Sequence, residues 1–235
     1  MTIQNSKTII SYSGGCAGDM FTMSCNGEIL YELDKHRVVQ PATLKDYEHK
    51  VRLGIDVDLE TELQNIPYKF VNTHLLDEVV GKGSEVYNVV IISKDVQLKT
   101  VYRQMKIQKL RIQIDTRPTS WYNTISEYCL NKNYTDAAVF WYNNAERLWL
   151  DRMNYRLEYT KAKKIDFSKL YDSEFIDDLV RQGWAYSTSL LKYNHDKWLE
   201  KNTNFNYEDT ITAMAHKLSM MNWEQKEGWV EYNPS

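Results

Sequence analysis

Residues 8–23, TIISYSGGCAGDMFTM, decide the fold of this chain. The first part of the segment, residues 8–10, is short, β-branched and apolar, which predicts a buried strand. Phe21, Cys25 and Ile29 recur at helical spacing and predict a helix. A turn with three glycines in five residues joins the two. The segment therefore predicts a strand that passes through a glycine-rich turn directly into a helix.

Such a turn presents backbone N–H groups at the positive end of a helix, where anions bind. In the P-loop pattern GxxxxGK[ST], Ser13 stands at the first glycine and Gly18 at the second, but Asp19 occupies the lysine position and Met20 the hydroxyl position. A carboxylate there repels phosphate. In the alternative interpretation, the glycines only permit close packing. The predicted anion-binding turn comprises Ser13, Gly14, Gly15, Cys16, Ala17, Gly18, Asp19 and Met20.

The rest of the chain predicts a three-layer α/β fold. The most strand-like segment, residues 87–93, is almost continuously apolar, as expected of a central parallel strand covered on both faces. Residues 68–74 and 163–168 predict two further strands. Residues 119–235 are mostly helical in pattern. We expect a single P-loop-like domain over residues 1–235, with a central, mainly parallel sheet and a helix-rich C-terminal half.

Helices are predicted from apolar spacing and capping residues. Thr43 is the expected N-cap of the second helix, and a basic helix is expected from Asp95 onward. The predicted helices are 18–33, 43–55, 95–110, 120–131, 135–161, one that begins at 172 or 173 and ends at 183, one that begins at 187 or 188, and 207–223.

Charge and composition limit the partners. The net charge of −3 makes nucleic acid an unlikely partner. The basic stretches 94–117 and 147–164 suit a small polyanion, although solvated helix faces give the same pattern. Arg147, Arg152 and Arg156 could meet a sulfate, but as solvated helix charges they need no further explanation. Because no charged leader and no long apolar segment is present, we expect a soluble cytoplasmic protein with no membrane partner.

The three cysteines, Cys16, Cys25 and Cys129, have neither CxxC spacing nor an accompanying histidine cluster. We therefore predict reduced thiols and no metal site. His74 directly follows a predicted strand, at the sheet edge where α/β proteins bind ligands, and is the candidate general base. The alternative is a strand-end histidine bonded to a backbone carbonyl. His195 is expected to be a partly buried helix residue near Trp198.

The chain resembles the sulfotransferase family, P-loop type, and in particular the divergent sulfotransferase-like proteins of marine tailed bacteriophages. The resemblance rests on TIISYSGGCAGDMF, FVNTHL, VVIISKDVQLKTVYRQ and KIDFSKLYDSEFIDDL followed by HDKWLEKN. It implies that residues 13–20 bind the 5′-phosphosulfate of 3′-phosphoadenosine 5′-phosphosulfate. It also implies that Ser93, Thr100 and Arg103 hold the 3′-phosphate, and that the acceptor is a hydroxyl of a small molecule or glycan.

This sequence departs from the family pattern at the turn, which has no lysine and no Ser or Thr after Gly18. The arginine usual before the 3′-phosphate helix is also missing, unless Lys94 replaces it. A second hypothesis is therefore a catalytically inactive binding or structural protein, such as a phage virion component or a partner of a host protein. A protein partner or a homo-oligomer is possible in either case. A nucleotide kinase is disfavoured because the Walker lysine and a clear magnesium-binding acid are absent from the sequence.

Overall fold

The structure is a computed structural model, and it describes residues 7–13, 18–27, 42–107, 119–167, 188–202, 205–226 and 229–233. The strands are β1 (Thr8–Tyr12), β2 (Phe70–Thr73), β3 (Glu85–Val90), β4 (Lys163–Asp166), β5 (Asn222–Lys226) and β6 (Trp229–Asn233). The helices are α1 (Gly18–Cys25), α2 (Lys45–Arg52), α3 (Leu59–Gln64), α4 (Lys94–Ile107), α5 (Thr119–Leu130), α6 (Tyr134–Glu158), α7 (Thr188–Asn202) and α8 (Tyr207–Ser219).

The four N-terminal strands form one parallel sheet in the order β2-β1-β3-β4. Parallel pairing brings the carboxyl ends of all four strands to one edge. The strand order reverses between β1 and β3, and α/β proteins bind ligands at such a point. Residue Ser11 of β1 lies opposite Thr73 of β2 and Asn88 of β3. The predicted α/β fold with a central parallel sheet is confirmed.

Helices cover both faces of this sheet. On one face, apolar residues of the strands pack against α2 and α3 in a buried cluster. Helix α1 contacts β1 and β2, and its Asp19 bonds to Tyr12 and Asn72, which alternate onto the opposite face. The arrangement therefore has three layers. The buried cluster comprises Ile9, Leu44, Tyr47, Leu59, Leu63, Val71, Leu75, Leu76, Val79 and Val86.

The chain divides into two compact units. The first unit, Met1–Val96 with Arg152–Lys201, contains the parallel sheet and helices α1, α2, α3 and α7. The second unit, Gln97–Asp151 with Asn202–Ser235, contains α5, α8, the β5–β6 hairpin and most of α4 and α6. The expectation of a single domain stays a prediction.

Two predicted boundaries are wrong for reasons of tertiary pairing. Thr43 forms a parallel bridge with Asn72 and does not cap α2, whose N-cap is Leu44. The final helix ends at Ser219, and the segment predicted to continue it forms the antiparallel β5–β6 hairpin. The indole nitrogen of Trp223 donates to the carbonyl of Leu218 at 2.9 Å, which fixes the start of this hairpin against the helix end.

Some expectations fall partly or wholly outside the described residues. These are the helix predicted at 172–183, the end of the first helix beyond Gly27, and Cys16. Cys25 and Cys129 are buried free thiols, and burial raises the pKa of Cys129 to about 12. Within the described part of the chain, none of the helices combines the length and apolar character needed to cross a bilayer.

Candidate functional site

Polar side chains interrupt the three neighbouring strands β2, β1 and β3 at the same level. Ser11, Thr73 and Asn88 lie opposite one another and are almost completely buried. Because a buried polar group without a hydrogen bond is costly, each of them needs a partner from within the protein. The partners come from two helices, α2 and α6, that supply one buried charge each.

Arg156, near the end of α6, provides the positive charge. Its guanidinium donates to Ser11 Oγ at 2.9 Å, to Asn88 Oδ1 at 3.1 Å and to the backbone carbonyl of His74 at 2.6 Å. The Asn88 amide in turn donates to the Arg156 carbonyl at 2.8 Å. The side chain is 6% exposed, so the interpretation of Arg156 as a solvated helix charge is wrong, whereas Arg147 and Arg152 are exposed.

Glu48 of α2 provides the negative charge. Its Oε1 accepts a hydrogen bond from Thr73 Oγ1 at 2.7 Å and a second from the backbone N–H of His74. Its Oε2 accepts from Arg52 at 3.1 Å. The Glu48 side chain is 6% exposed, whereas Arg52 is mostly in solvent. The carboxylate is therefore held in place at the end of β2 and bonded to the backbone of the next residue, His74.

His74 is the first residue after β2, and its side chain is exposed. Its Nδ1 lies 3.2 Å from the carbonyl oxygen of Tyr12. Since a carbonyl oxygen only accepts, Nδ1 must carry a proton in this hydrogen bond, and in the neutral imidazole Nε2 is then the nitrogen with the lone pair. The Tyr12 ring packs edge-on against the imidazole, with centroids 4.5 Å apart. His74 is thus bonded to a backbone carbonyl and, in the same geometry, has Nε2 available as a base.

Asp19 faces the sheet edge from the first turn of α1. Its Oδ1 accepts from the Tyr12 hydroxyl and from the Asn72 amide, the latter at 3.1 Å. Burial raises the pKa of Asp19, while the hydrogen bond from Tyr12 opposes this rise. Burial, and then the charge of Asp19, raises the pKa of Tyr12 well above its ordinary value. The pair therefore places a desolvated carboxyl group beside His74.

Gly18 lies at the start of α1, where a side chain would not fit. A Cβ atom added to Gly18 would overlap the Tyr12 ring. At this position the glycine permits close packing, as the alternative interpretation of the turn expects. Ser13 and Met20 are buried. Residues 14–17 lie outside the described residues, so anion binding by the turn stays a prediction.

The residues proposed to hold a 3′-phosphate are found after β3. Ser93 follows the strand and is partly exposed. Thr100 of α4 is fully buried, and its hydroxyl has no hydrogen-bond partner within the described ranges. Arg103 also belongs to α4, but its side chain is not among those that the structure describes. Thr100 and Arg103 are in the second unit and the glycine turn is in the first, so a shared nucleotide site stays a prediction.

His195 of α7 is a packing residue, as expected. It is 2% exposed, and its Nε2 donates to the carbonyl of Phe167 at 3.1 Å. Its ring packs against the Phe167 ring, which also contacts Trp198. Burial lowers the pKa of His195, which keeps this imidazole neutral at physiological pH.

Sequence reasoning missed the two charged residues that bind the His74 backbone, Glu48 and Arg156. The available signal was the polar residues inside otherwise apolar strands, such as Asn88, which require buried partners. No protein-family model, curated protein or solved structure matches this chain. The chemistry of the site is therefore derived from its own residues.

Proposed function

We propose that this chain is a sulfotransferase-like protein that binds 3′-phosphoadenosine 5′-phosphosulfate and transfers its sulfuryl group to a hydroxyl acceptor. The observation that carries the proposal is the His74 side chain: it is exposed at the carboxyl edge of the sheet, and its Nδ1 is bonded to Tyr12. This hydrogen bond leaves Nε2 as a proton acceptor. A base held in one tautomer at a sheet edge is suited to deprotonating a bound hydroxyl.

In the proposed reaction, Nε2 of His74 takes the proton of the acceptor hydroxyl. The acceptor oxygen forms a bond to sulfur while the bond from sulfur to the 5′-phosphate oxygen breaks. The products are the sulfated acceptor and 3′-phosphoadenosine 5′-phosphate, and the proton remains on His74 until it passes to solvent. A positioned general base of this kind contributes about 10²–10⁴-fold to the rate.

By the resemblance, residues 13–20 would meet the phosphosulfate of the donor, and Ser93, Thr100 and Arg103 its 3′-phosphate. Asp19 opposes this ligand because its carboxylate stands where a lysine normally stabilises developing negative charge. The raised pKa of Asp19 reduces the free energy needed to protonate this carboxylate when an anionic donor binds beside it. We therefore expect slow turnover, and nucleotide binding that weakens as the pH rises.

A second candidate function is binding without catalysis, and the Asp19 contacts favour it. Tyr12 and Asn72 hold this carboxylate in the first turn of α1, so the charge is part of the local structure. In this case the chain would act in the virion, as a partner of a host protein, or as a homo-oligomer. The enzyme would instead act in the host cytoplasm.

Nucleotide binding and turnover test the two candidates. Binding of 3′-phosphoadenosine 5′-phosphate is measured by calorimetry and thermal unfolding, and sulfate transfer is measured with a panel of small-molecule and glycan hydroxyls. Nucleotide at 100 times its Kd should add about 2.7 kcal/mol of stability, which raises Tm by roughly 5–11 °C for a chain of this size. The variants are His74→Ala and, as the control, His49→Ala, which removes another exposed histidine of the same unit.

The enzyme hypothesis expects all three proteins to bind the nucleotide and only His74→Ala to lose turnover, by at least about 10²-fold. Binding without turnover in the wild-type protein supports the second candidate. If neither binding nor turnover is detected, the partner-binding or virion role remains. Equal turnover in His74→Ala and the wild-type protein removes His74 from the mechanism.

A further inference from the structure

The backbone of His74 is held from both sides by buried charged side chains. We infer that Glu48 and Arg156 are positioning residues that fix the His74 imidazole in the orientation and tautomer needed for a base. This inference rests on the proposed function for the role of the base. The geometry that carries it is independent of the ligand.

The two charged side chains bind the two backbone hydrogen-bonding groups of the same residue, His74. The carboxylate of Glu48 accepts from the His74 backbone N–H, and the guanidinium of Arg156 donates to the His74 carbonyl at 2.6 Å. Each charged group is also anchored to a strand, Glu48 to Thr73 at 2.7 Å and Arg156 to Ser11 at 2.9 Å and Asn88 at 3.1 Å. His74 is thereby tied to β1, β2 and β3 together.

Neutral partners would satisfy a peptide N–H and C=O equally well. Removing a carboxylate and a guanidinium from water costs free energy that their contacts often do not recover. The two charges are therefore better explained by the position in which they hold His74 than by a gain in stability. Charge-assisted hydrogen bonds are shorter and stronger than neutral ones and fix geometry more tightly. The residue that receives both of them carries an exposed imidazole.

Fixing the His74 backbone limits where its ring can lie. The direction of the Cα–Cβ bond follows from the backbone and sets the positions the ring can reach. From there, the 3.2 Å contact of Nδ1 with the Tyr12 carbonyl and the packing of the Tyr12 ring select the orientation of the imidazole. If the backbone shifts, this hydrogen bond weakens, and Nδ1 and Nε2 then compete for the single proton of the neutral ring. A displacement of about 1 Å in a catalytic group costs on the order of 10²-fold in rate.

The test is the His74 tautomer in the full chain, measured by ¹⁵N–¹H correlation spectroscopy after labelling the imidazole rings. The chain has five histidines, so the His74 signals are assigned with His74→Gln. In the wild-type protein, Nδ1 should be protonated and Nε2 unprotonated. In Glu48→Ala and Arg156→Lys this preference should fall at least fivefold, since lysine lacks the two-nitrogen fork with which Arg156 donates to the His74 carbonyl and to the Ser11–Asn88 pair. Glu48→Gln keeps an acceptor oxygen without the charge, so its preference should lie between those of Glu48→Ala and the wild-type protein.

Ser24→Ala is the matched control, because it removes a buried 2.8 Å hydrogen bond from Asn194 in the same unit without touching His74. This variant should lose stability and keep the tautomer. If Glu48→Ala does not fold, Arg156→Lys and Glu48→Gln still decide the question. If Arg156→Lys and Ser24→Ala show the same preference for the Nδ1-protonated form of His74, the positioning role is overturned.

The kinetic readout separates this inference from the proposed function. If the wild-type protein turns over, Arg156→Lys should lower kcat on the order of 10²-fold with nucleotide Kd changed less than about twofold. A parallel loss of kcat and nucleotide binding would indicate a structural role and contradict the inference. If the wild-type protein binds no nucleotide, the proposed function fails, and the tautomer measurement alone decides whether Glu48 and Arg156 position His74.

Discussion

Replacing Gly18 with alanine tests whether close packing of Tyr12 shapes the beginning of α1. A Cβ at this position would overlap the aromatic ring of Tyr12, a buried residue that also contacts His74 and Asp19. The ring must therefore move, or the helix must shift away from β1. Either movement breaks the hydrogen bond from Tyr12 to Asp19.

The expected cost follows from three contributions. Overpacking of a buried site costs about 1–3 kcal/mol. Loss of a hydrogen bond to an ionisable carboxyl group costs about 1.5–3 kcal/mol. The better helix propensity of alanine returns about 1 kcal/mol. The net loss is about 3 kcal/mol, which lowers Tm by roughly 6–12 °C in a chain of this size.

A double-mutant cycle separates the clash from other effects. The free energy of unfolding is measured in urea by far-UV circular dichroism for wild type, Gly18→Ala, Tyr12→Ala and the double variant. With the ring absent, Gly18→Ala should become neutral or stabilising. Gly27→Ala is a contrasting control: Gly27 has φ +80° with open space around it, so only backbone strain of about 1–2 kcal/mol is expected.

The reasoning is refuted if Gly18→Ala costs as much in the Tyr12→Ala background as in the wild-type protein. A loss below that of Gly27→Ala would equally contradict it. In that event the glycine would be needed for the preceding turn and not for the ring.

Two further predictions concern pH. Burial raises the pKa of Asp19 above 3.8, so the folded protein retains a proton that the unfolded chain has released, and stability falls as pH rises from 3.8 through the folded pKa. Asp19→Asn keeps an acceptor for Tyr12 and removes this pH-dependent loss. The free energy of unfolding of Asp19→Asn, relative to that of the wild-type protein, should therefore be higher at about pH 7 than at about pH 4. An equal difference at the two pH values would contradict the argument. Burial lowers the pKa of His195 below 6.5, so the stability present above pH 6.5 is lost as pH falls through the folded pKa. His195→Gln should therefore lose less stability than wild type on acidification below pH 6.5, and parallel urea titrations of the two proteins would disprove this.

Local pattern predicted the elements that carry the site. The β-branched residues of β1, the glycines after it and the apolar spacing of α1 indicated a strand, a turn and a helix, and each strand of the parallel sheet was expected near its observed position. The placement of His74 just beyond β2 also followed from the sequence. Periodicity works here because burial of a strand or a helix face repeats over a few neighbouring residues.

The β5–β6 hairpin shows where this reasoning fails. Residues up to 223 have helical spacing, yet α8 stops at Ser219 because the following residues pair with a strand further along the chain. The strand order β2-β1-β3-β4 is likewise invisible in any single segment. Pairing between strands depends on residues that are distant in sequence.

The parallel α/β core and the presence of a histidine at the sheet edge could be read from the sequence, because both follow from short-range spacing. Which groups surround that histidine depends instead on the packing of segments that are distant in sequence. Arg156 reaches Ser11 across 145 positions of sequence and the His74 carbonyl across 82, while Glu48 meets Thr73 across 25. A buried charge is placed by the partners that can satisfy it, and those partners become neighbours only when the strands and helices have packed.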